Sequence, residues 1–251
     1  MNFLDLTLPT PAENLACDEA LLEHSEISGA EILRFWEPRE VFVVVGYANQ
    51  VSLETNLAAC EKNGIPILRR CTGGGTVLQG QGVLNYSLIL KIAAGGPTAS
   101  VHSANQFIME RNRAAIEKAV SSQQSAVRIS VCGHTDLTLD THHRSLVTSK
   151  KFSGNAQRRK KNFLLFHGAF LLDFDLSLVE KFLAMPSSEP GYRHGRSHGD
   201  FITNLHLPAG TVKHALLNAW KAGAPLENIP REQIKLLSHE KYVTNRWNFK
   251  F

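Results

Sequence analysis

Three consecutive glycines, Gly73-Gly74-Gly75, stand just behind the β-rich run Ile65–Arg70, which ends in the pair Arg69-Arg70. Cys71-Thr72 lie between the arginines and the glycines, and Thr76-Val77 follow. Glycine loses more backbone freedom on folding than any other residue, so three in a row need a structural return. One return is close approach of backbone N–H groups to an anion, in a conformation that side-chain-bearing residues resist. The two guanidinium groups add fixed charge and bidentate hydrogen bonding suited to a carboxylate or phosphate. No Gly-Lys-Ser/Thr follows the run and no GxGxxG is present, so neither a P-loop nor a dinucleotide fingerprint is formed. From this local chemistry alone, an anion-binding loop and a plain turn both stay open.

The second dense segment is Ser149-Lys150-Lys151-Phe152-Ser153-Gly154-Asn155-Ala156-Gln157, read as a loop ahead of the apolar strand Phe163–Leu172. A lysine ammonium placed there stabilises charge that develops during acyl or nucleotidyl transfer. Ser153 and Asn155 are placed to hydrogen-bond the same group. The run Arg158-Arg159-Lys160-Lys161 reads as a solvated hairpin, with an acidic protein partner as its functional alternative. His167, beside Gly168, sits inside the strand, where a histidine is either a hydrogen-bonded core residue or, with glycine allowing close approach, a ligand contact. Cys132 precedes Gly133-His134-Thr135-Asp136; it reads as a nucleophile or as a structural thiol. His194 and His198, and His142-His143, lack a third ligand at metal spacing, so metal ligation stays unknown. Trp36, Phe42 and Tyr47 read as core, or as the wall of an apolar tunnel.

Elsewhere helical patterns cover Ala12–His24, Leu53–Lys62, Ser103–Ser121, Leu176–Leu183, Val212–Lys221 and Arg231–Lys241. Strand patterns cover Glu31–Trp36, Val41–Tyr47, Thr76–Leu78, Leu84–Ile92, Val127–Val131 and Asp136–Leu139. This order fits an α+β fold with a mixed, mostly antiparallel sheet flanked by helices. The 251 residues carry 27 Lys plus Arg against 23 Asp plus Glu, a charge of +4 that does not demand nucleic acid. Cys17, Cys60, Cys71 and Cys132 share no CxxC spacing, so neither a zinc site nor a disulfide scaffold is suggested. With no signal-peptide pattern and no membrane-length apolar run, the expected setting is the cytoplasm, with no membrane partner.

Taken together the segments resemble the catalytic domain shared by lipoate–protein ligases, octanoyltransferases and biotin ligases, and most closely the lipoate–protein ligase A branch. Asn14–Leu22 looks like that family's first helix, and Val43–Gln50 like its strand and glycine turn. Arg69–Val77 is similar to its RRxxGGGxV signature, and Asn85 stands where an Asn is expected on the next strand. Gly133–Leu137 resembles its G-x-N-D-L strand, Lys151–Ala156 its K-x-SG-x-A motif, and Phe166-His167-Gly168 its HHGT strand. The matches run in family order from about Asn14 to Asp175. The arginine-interleaved glycine loop of biotin ligases is missing.

The resemblance implies a class II synthetase-like, biotin–lipoate ligase catalytic fold occupying residues 1–251 as a single domain. It implies ATP- and Mg2+-dependent activation of lipoate or octanoate to acyl-AMP. The acyl group then passes to a lysine of a lipoyl domain or the glycine-cleavage H protein. Lys151 would bridge the acyl carboxylate and α-phosphate. Gly73, Gly74, Gly75, Thr76 and Val77 would frame the acyl-adenylate, with Arg69 and Arg70 alongside and Arg70 contacting the acyl group. Asn85, Ser153, Gly154 and Ala156 would lie near the nucleotide, and His167 and Gly168 beneath it. Too few residues follow the Pro186–Asp200 loop for the accessory domain of this branch, which some relatives obtain as a separate chain. The alternative is an ATP-independent octanoyl- or lipoyltransferase in which Cys132 forms the acyl thioester and Lys151 polarises its carbonyl. The spacing from Cys132 to Asp136 departs somewhat from that class. A third reading is a non-catalytic module that binds lipoyl proteins or RNA.

Overall fold

The computed structural model describes residues 1–121, 128–143 and 146–251, and the side chains of all of these but 141–143, 146 and 147. The elements are β1 (Asn2–Asp5), α1 (Pro11–Ser28), β2 (Ile32–Trp36), β3 (Phe42–Val45), α2 (Val51–Glu54), α3 (Leu57–Lys62), β4 (Ile67–Arg69), β5 (Val77–Gln79), β6 (Val83–Lys91) and α4 (Val101–Ser121). They continue with β7 (Arg128–Cys132), β8 (Asp136–His143), β9 (Leu146–Arg159), β10 (Phe163–Leu171), α5 (Ser177–Phe182), α6 (His198–Phe201), α7 (Ala209–Trp220), β11 (Ala224–Pro225), α8 (Arg231–Leu237) and α9 (Asn245–Asn248). The expected strand residue Val127 and the side chains of His142 and His143 lie outside the described residues.

Eight strands form the main sheet in the order β11-β1-β2-β6-β10-β9-β8-β7, and β4-β3-β5 form a second, smaller one. Strand pairs are antiparallel from β2 to β7 and parallel at β11-β1-β2. This is the mixed, mostly antiparallel α+β arrangement expected from the sequence.

Strand alternation decides which side chains meet which layer. On β2, Leu33 and Phe35 join the core against α4 and α7, while Ile32 and Trp36 face the layer containing α1. β10 repeats the split: Leu164, Phe166 and Phe170 face α4 and α7, and Phe163 and Leu165 face α1. The α1 face also carries polar positions, because Arg34, Ser87 and His167 are aligned across β2, β6 and β10. α1 itself starts from a capping box between Thr10 and Glu13, has Pro11 in its first turn, and stops at Gly29 with φ 73°.

One expectation is corrected. The lysine segment is not a loop but the middle of the 14-residue strand β9. Ser, Gly, Asn and Lys are poor strand formers, but pairing on both edges, to β8 and β10, overrides that preference. The basic run at its end does form the β9–β10 hairpin, with partners for three of its four charges. Arg158 pairs with Glu19 at 3.3 Å, Lys160 with Glu23 at 2.9 Å, and Arg159 donates to the Thr98 carbonyl at 2.8 Å. The C-terminal segment packs inward: Lys241 and Tyr242 both bind the Glu19 carboxylate, at 2.6 and 2.7 Å.

Candidate active site

Below α1 the sheet opens into a cavity of about 350 Å³, within the range of roughly 300–1,000 Å³ common to small-molecule sites. Twelve of the expected site residues line it: Arg70, Gly74, Gly75, Thr76, Val77, Asn85, Lys151, Ser153, Gly154, Ala156, His167 and Gly168. Arg69, Gly73 and Cys132 are not in the lining. Arg69 is fully buried and points away from the cavity's wall residues. Its guanidinium donates to the carbonyls of Gly46, Tyr47 and Asn49 and to Asn248 of the C-terminal segment. These bonds brace the turn after β3 against the C-terminal segment.

Arg70 serves the glycine loop from behind. Its guanidinium donates to the carbonyls of Gly73 at 2.5 Å and Gly75 at 2.7 Å, and to Thr72 Oγ1 at 3.0 Å. Burial pulls this guanidinium down to about 10, which leaves it charged at neutral pH. The loop is pressed against the turn after β3. A Cβ on Gly46 would lie 2.0 Å from the Gly74 carbonyl oxygen, so glycine is required there. Asn85 closes a reciprocal amide pair with Gln79, at 2.9 and 2.8 Å.

His167 is the centre of a polar chain that the sequence did not reveal. Its Nδ1 lies 2.9 Å from Asp18 Oδ2, and its Nε2 lies 2.7 Å from Thr72 Oγ1. Asp18 in turn binds Arg34 at 2.6 Å, with both side chains buried. Burial alone would raise the Asp18 carboxyl. The Arg34 charge and the hydrogen bonds from His167 and Arg34 outweigh it and hold the group below the usual carboxylate range. A carboxylate held charged in this way favours the N–H of His167 at Nδ1.

Lys151 is positioned by an irregularity in β9. The register slips between Leu137 and Thr138, so Ser153 pairs with Leu137 but Lys151 pairs with Thr138. Phe152 is the extra residue, and it is fully buried. Such a bulge re-aims its neighbours. The Lys151 amine reaches Asp136 Oδ1 at 2.8 Å, and Tyr192 donates to the other oxygen, Oδ2, at 2.7 Å. Burial and the Asp136 charge push the Tyr192 phenol well up, which keeps it a donor. Gly154 makes room for the amine, since a Cβ there would meet Lys151 Nζ at 2.7 Å.

Cys132 ends β7 directly opposite Asp136. Cross-strand partners share a face of the sheet, so the thiol is on the side of the Asp136 carboxylate, 3.4 Å from Thr138 Oγ1. The other three cysteines are buried. Burial raises all three thiols, Cys17 and Cys71 to about 11, which makes them poor nucleophiles.

Asn155 ties these parts together. Its side-chain N–H group donates to the Thr135 carbonyl at 2.7 Å, Thr135 Oγ1 donates back to the Asn155 carbonyl at 2.7 Å, and Asn155 Oδ1 accepts from Tyr86 at 2.6 Å. The Tyr86 oxygen also accepts from Asn112 at 2.8 Å. Gly168 permits this, because a Cβ on it would lie 1.7 Å from Asn155 Oδ1. Gly168→Ala will therefore evict the Asn155 amide and cost about 1–3 kcal/mol of stability by overpacking. Thermal denaturation checks it, and pairing the change with Asn155→Gly should recover part of the loss; no recovery would show that this contact is not the cause.

Sequence reasoning named Asp136 and Asn155 but gave Asp136 no role, and it assigned none to Asp18, Arg34, Tyr86 or Tyr192. The available signals were charged and amide side chains in otherwise apolar segments. Among the described residues, no cluster of three or more His, Cys, Asp and Glu side chains forms a metal site, and no helix is long and apolar enough to cross a membrane.

Residues 10–219 match the family model of the lipoyl protein ligase A/B catalytic domain. The chain is 28% identical to octanoyltransferase LipM of Halalkalibacterium halodurans, covering 99% of this chain and 98% of that protein. It is 27% identical to lipoate-protein ligase A subunit 1 of Thermoplasma acidophilum, covering 97% and 95% of the two chains. Among solved structures it superposes on a chain of an archaeal lipoylation system from T. acidophilum, a bi-partite lipoate protein ligase with its E2 lipoyl domain. The TM-score is 0.81 at 23% identity, over 99% of this chain and 95% of that one. A lipoate-protein ligase A bound with ATP gives a TM-score of 0.74 at 23% identity, over 99% of each chain. With its motif order, fold and cavity on the same footing, this chain belongs to the lipoyl protein ligase A/B catalytic domain family.

Proposed function

We propose that this chain is an acyltransferase that moves an octanoyl or lipoyl group from a thioester donor to a lysine of a lipoyl-acceptor protein. The acyl group passes through a thioester on Cys132. The observation that carries this reading is the placement of the Cys132 thiol opposite Asp136, whose carboxylate holds the Lys151 amine at 2.8 Å. In the first step the Cys132 thiolate attacks the donor carbonyl, the donor thiolate leaves, and Lys151 stabilises the developing oxyanion. In the second step the acceptor lysine attacks the Cys132 thioester and releases the thiol. The 28% identity to an octanoyltransferase over nearly the whole chain supports this order of events over the ligase that the sequence placed first.

The ATP-dependent ligase is a second reading. It is supported by the Gly74–Thr76 backbone lining the cavity in front of the charged Arg70, a setting suited to a phosphate. The Gly74–Thr76 segment and Lys151 would hold the nucleotide's phosphates, and bound ATP would supply an activated acyl phosphate. The test is mass spectrometry of a lipoyl domain incubated with an octanoyl carrier thioester, or with free octanoate or lipoate, with and without ATP and Mg2+. Modification from the thioester without ATP is the expected outcome. Modification only from the free acid with ATP would replace the transferase reading, and full activity in Cys132→Ser would remove the thioester step.

A further inference from the structure

The proposed second step needs a group to take a proton from the attacking amine, and the cavity already commits most of its titratable side chains. Lys151 is a charged donor, held by Asp136 and already assigned to the oxyanion, and both Asp136 oxygens are occupied, by Lys151 and Tyr192. His167 has partners at both ring nitrogens, Asp18 and Thr72. His198 Nε2 lies 3.0 Å from the Ala184 carbonyl, and its Nδ1 lies 3.5 Å from an Arg193 nitrogen. Glu54 accepts from the Ser187 hydroxyl and backbone N–H.

His134 is different. It lines the cavity, it is exposed to solvent, and among the described residues neither ring nitrogen has a hydrogen-bond partner. It lies in the three-residue turn Gly133–Thr135 that joins Cys132 to Asp136. The turn is held on one side by the reciprocal Thr135–Asn155 bonds, both 2.7 Å. Gly133 adopts φ 57°, a conformation natural to glycine. A chain segment this short keeps the imidazole within a few residues of both the thiol and the Lys151–Asp136 pair. Its exposure leaves the imidazole accessible from solvent.

We propose that His134 is the proton-transfer residue of the second step, an inference that rests on the transferase reading. The neutral acceptor amine attacks the Cys132 thioester carbonyl and the C–N bond forms. The excess N–H proton passes to the His134 imidazole. The C–S bond breaks, and the departing sulfur takes that proton back, leaving an amide and a free thiol. Imidazole suits this exchange because a free ring nitrogen can take up the proton and pass it on.

The experiment separates the two steps. Wild type and His134→Ala are acylated with octanoyl-pantetheine, the adduct is confirmed by intact-mass spectrometry, and a lipoyl domain is then added in a single-turnover reaction. His134→Ala should carry the adduct, which also reports an intact fold, but discharge it about 10²–10⁴-fold more slowly. Added free imidazole should restore at least part of that rate, which a purely structural loss would not allow. Equal discharge by wild type and variant would overturn the role of His134 while leaving the thioester mechanism standing. So would slow discharge that imidazole does not improve. No adduct on the wild-type chain would overturn the transferase reading and this inference with it.

Discussion

Lys151→Met will lower acyl transfer about 10²–10³-fold, the loss expected when one positioned donor is removed from a developing oxyanion. Methionine keeps the apolar stem and removes only the ammonium. The surroundings survive the change, because Asp136 retains its bond from Tyr192 at 2.7 Å. The fold should survive too, since the Lys151 side chain is one quarter exposed and its ion pair is partly screened by water. Single-turnover kinetics beside a thermal melt make the test. A rate within tenfold of wild type would show that the charge is not used, and both the transferase and ligase readings would then lose their central group.

The largest stability effect is expected at Asp18. Asp18→Ala leaves the fully buried Arg34 guanidinium without its carboxylate, a change that costs about 3–5 kcal/mol when one partner of a buried pair is removed. It also frees His167 Nδ1, and with it the chain through Thr72 to Arg70 that holds the glycine loop. Binding should therefore weaken along with stability. The sign of the pH effect follows from the lowered carboxyl. Asp18 contributes its stability above the unfolded-state value of about 3.9 and loses it as pH falls through the lower folded value. Urea denaturation should show wild type losing stability in that acid window, with Asp18→Asn showing less of the loss. A variant as stable as wild type at neutral pH would refute the assignment.

The glycine loop and Lys151 were legible because their chemistry is dense in the sequence itself. Three glycines behind two arginines, and a lysine beside Ser-Gly-Asn, are unusual enough to mark a site before any fold is known. Other parts were misread for the same reason. The polar residues that make β9 a candidate for the site also make it look like a loop, because strand propensity is local and pairing is not. Arg69 and Arg70 are adjacent in sequence and alike in chemistry. Only their places in the fold separate them, one bracing the C-terminal segment and the other the glycine loop.

The sequence by itself determined the family and the α+β class and named twelve of the residues that line the cavity, since these rest on motif order and strand periodicity. Tertiary structure decided which charges face the cavity and which brace the fold around it. Asp18 and His167 are 149 positions apart, and Tyr192 and Asp136 are 56 apart. No periodicity links residues at such separations. Their pairing appears only when strand register and the bulge at Phe152 bring β8, β9, β10 and α1 around one cavity.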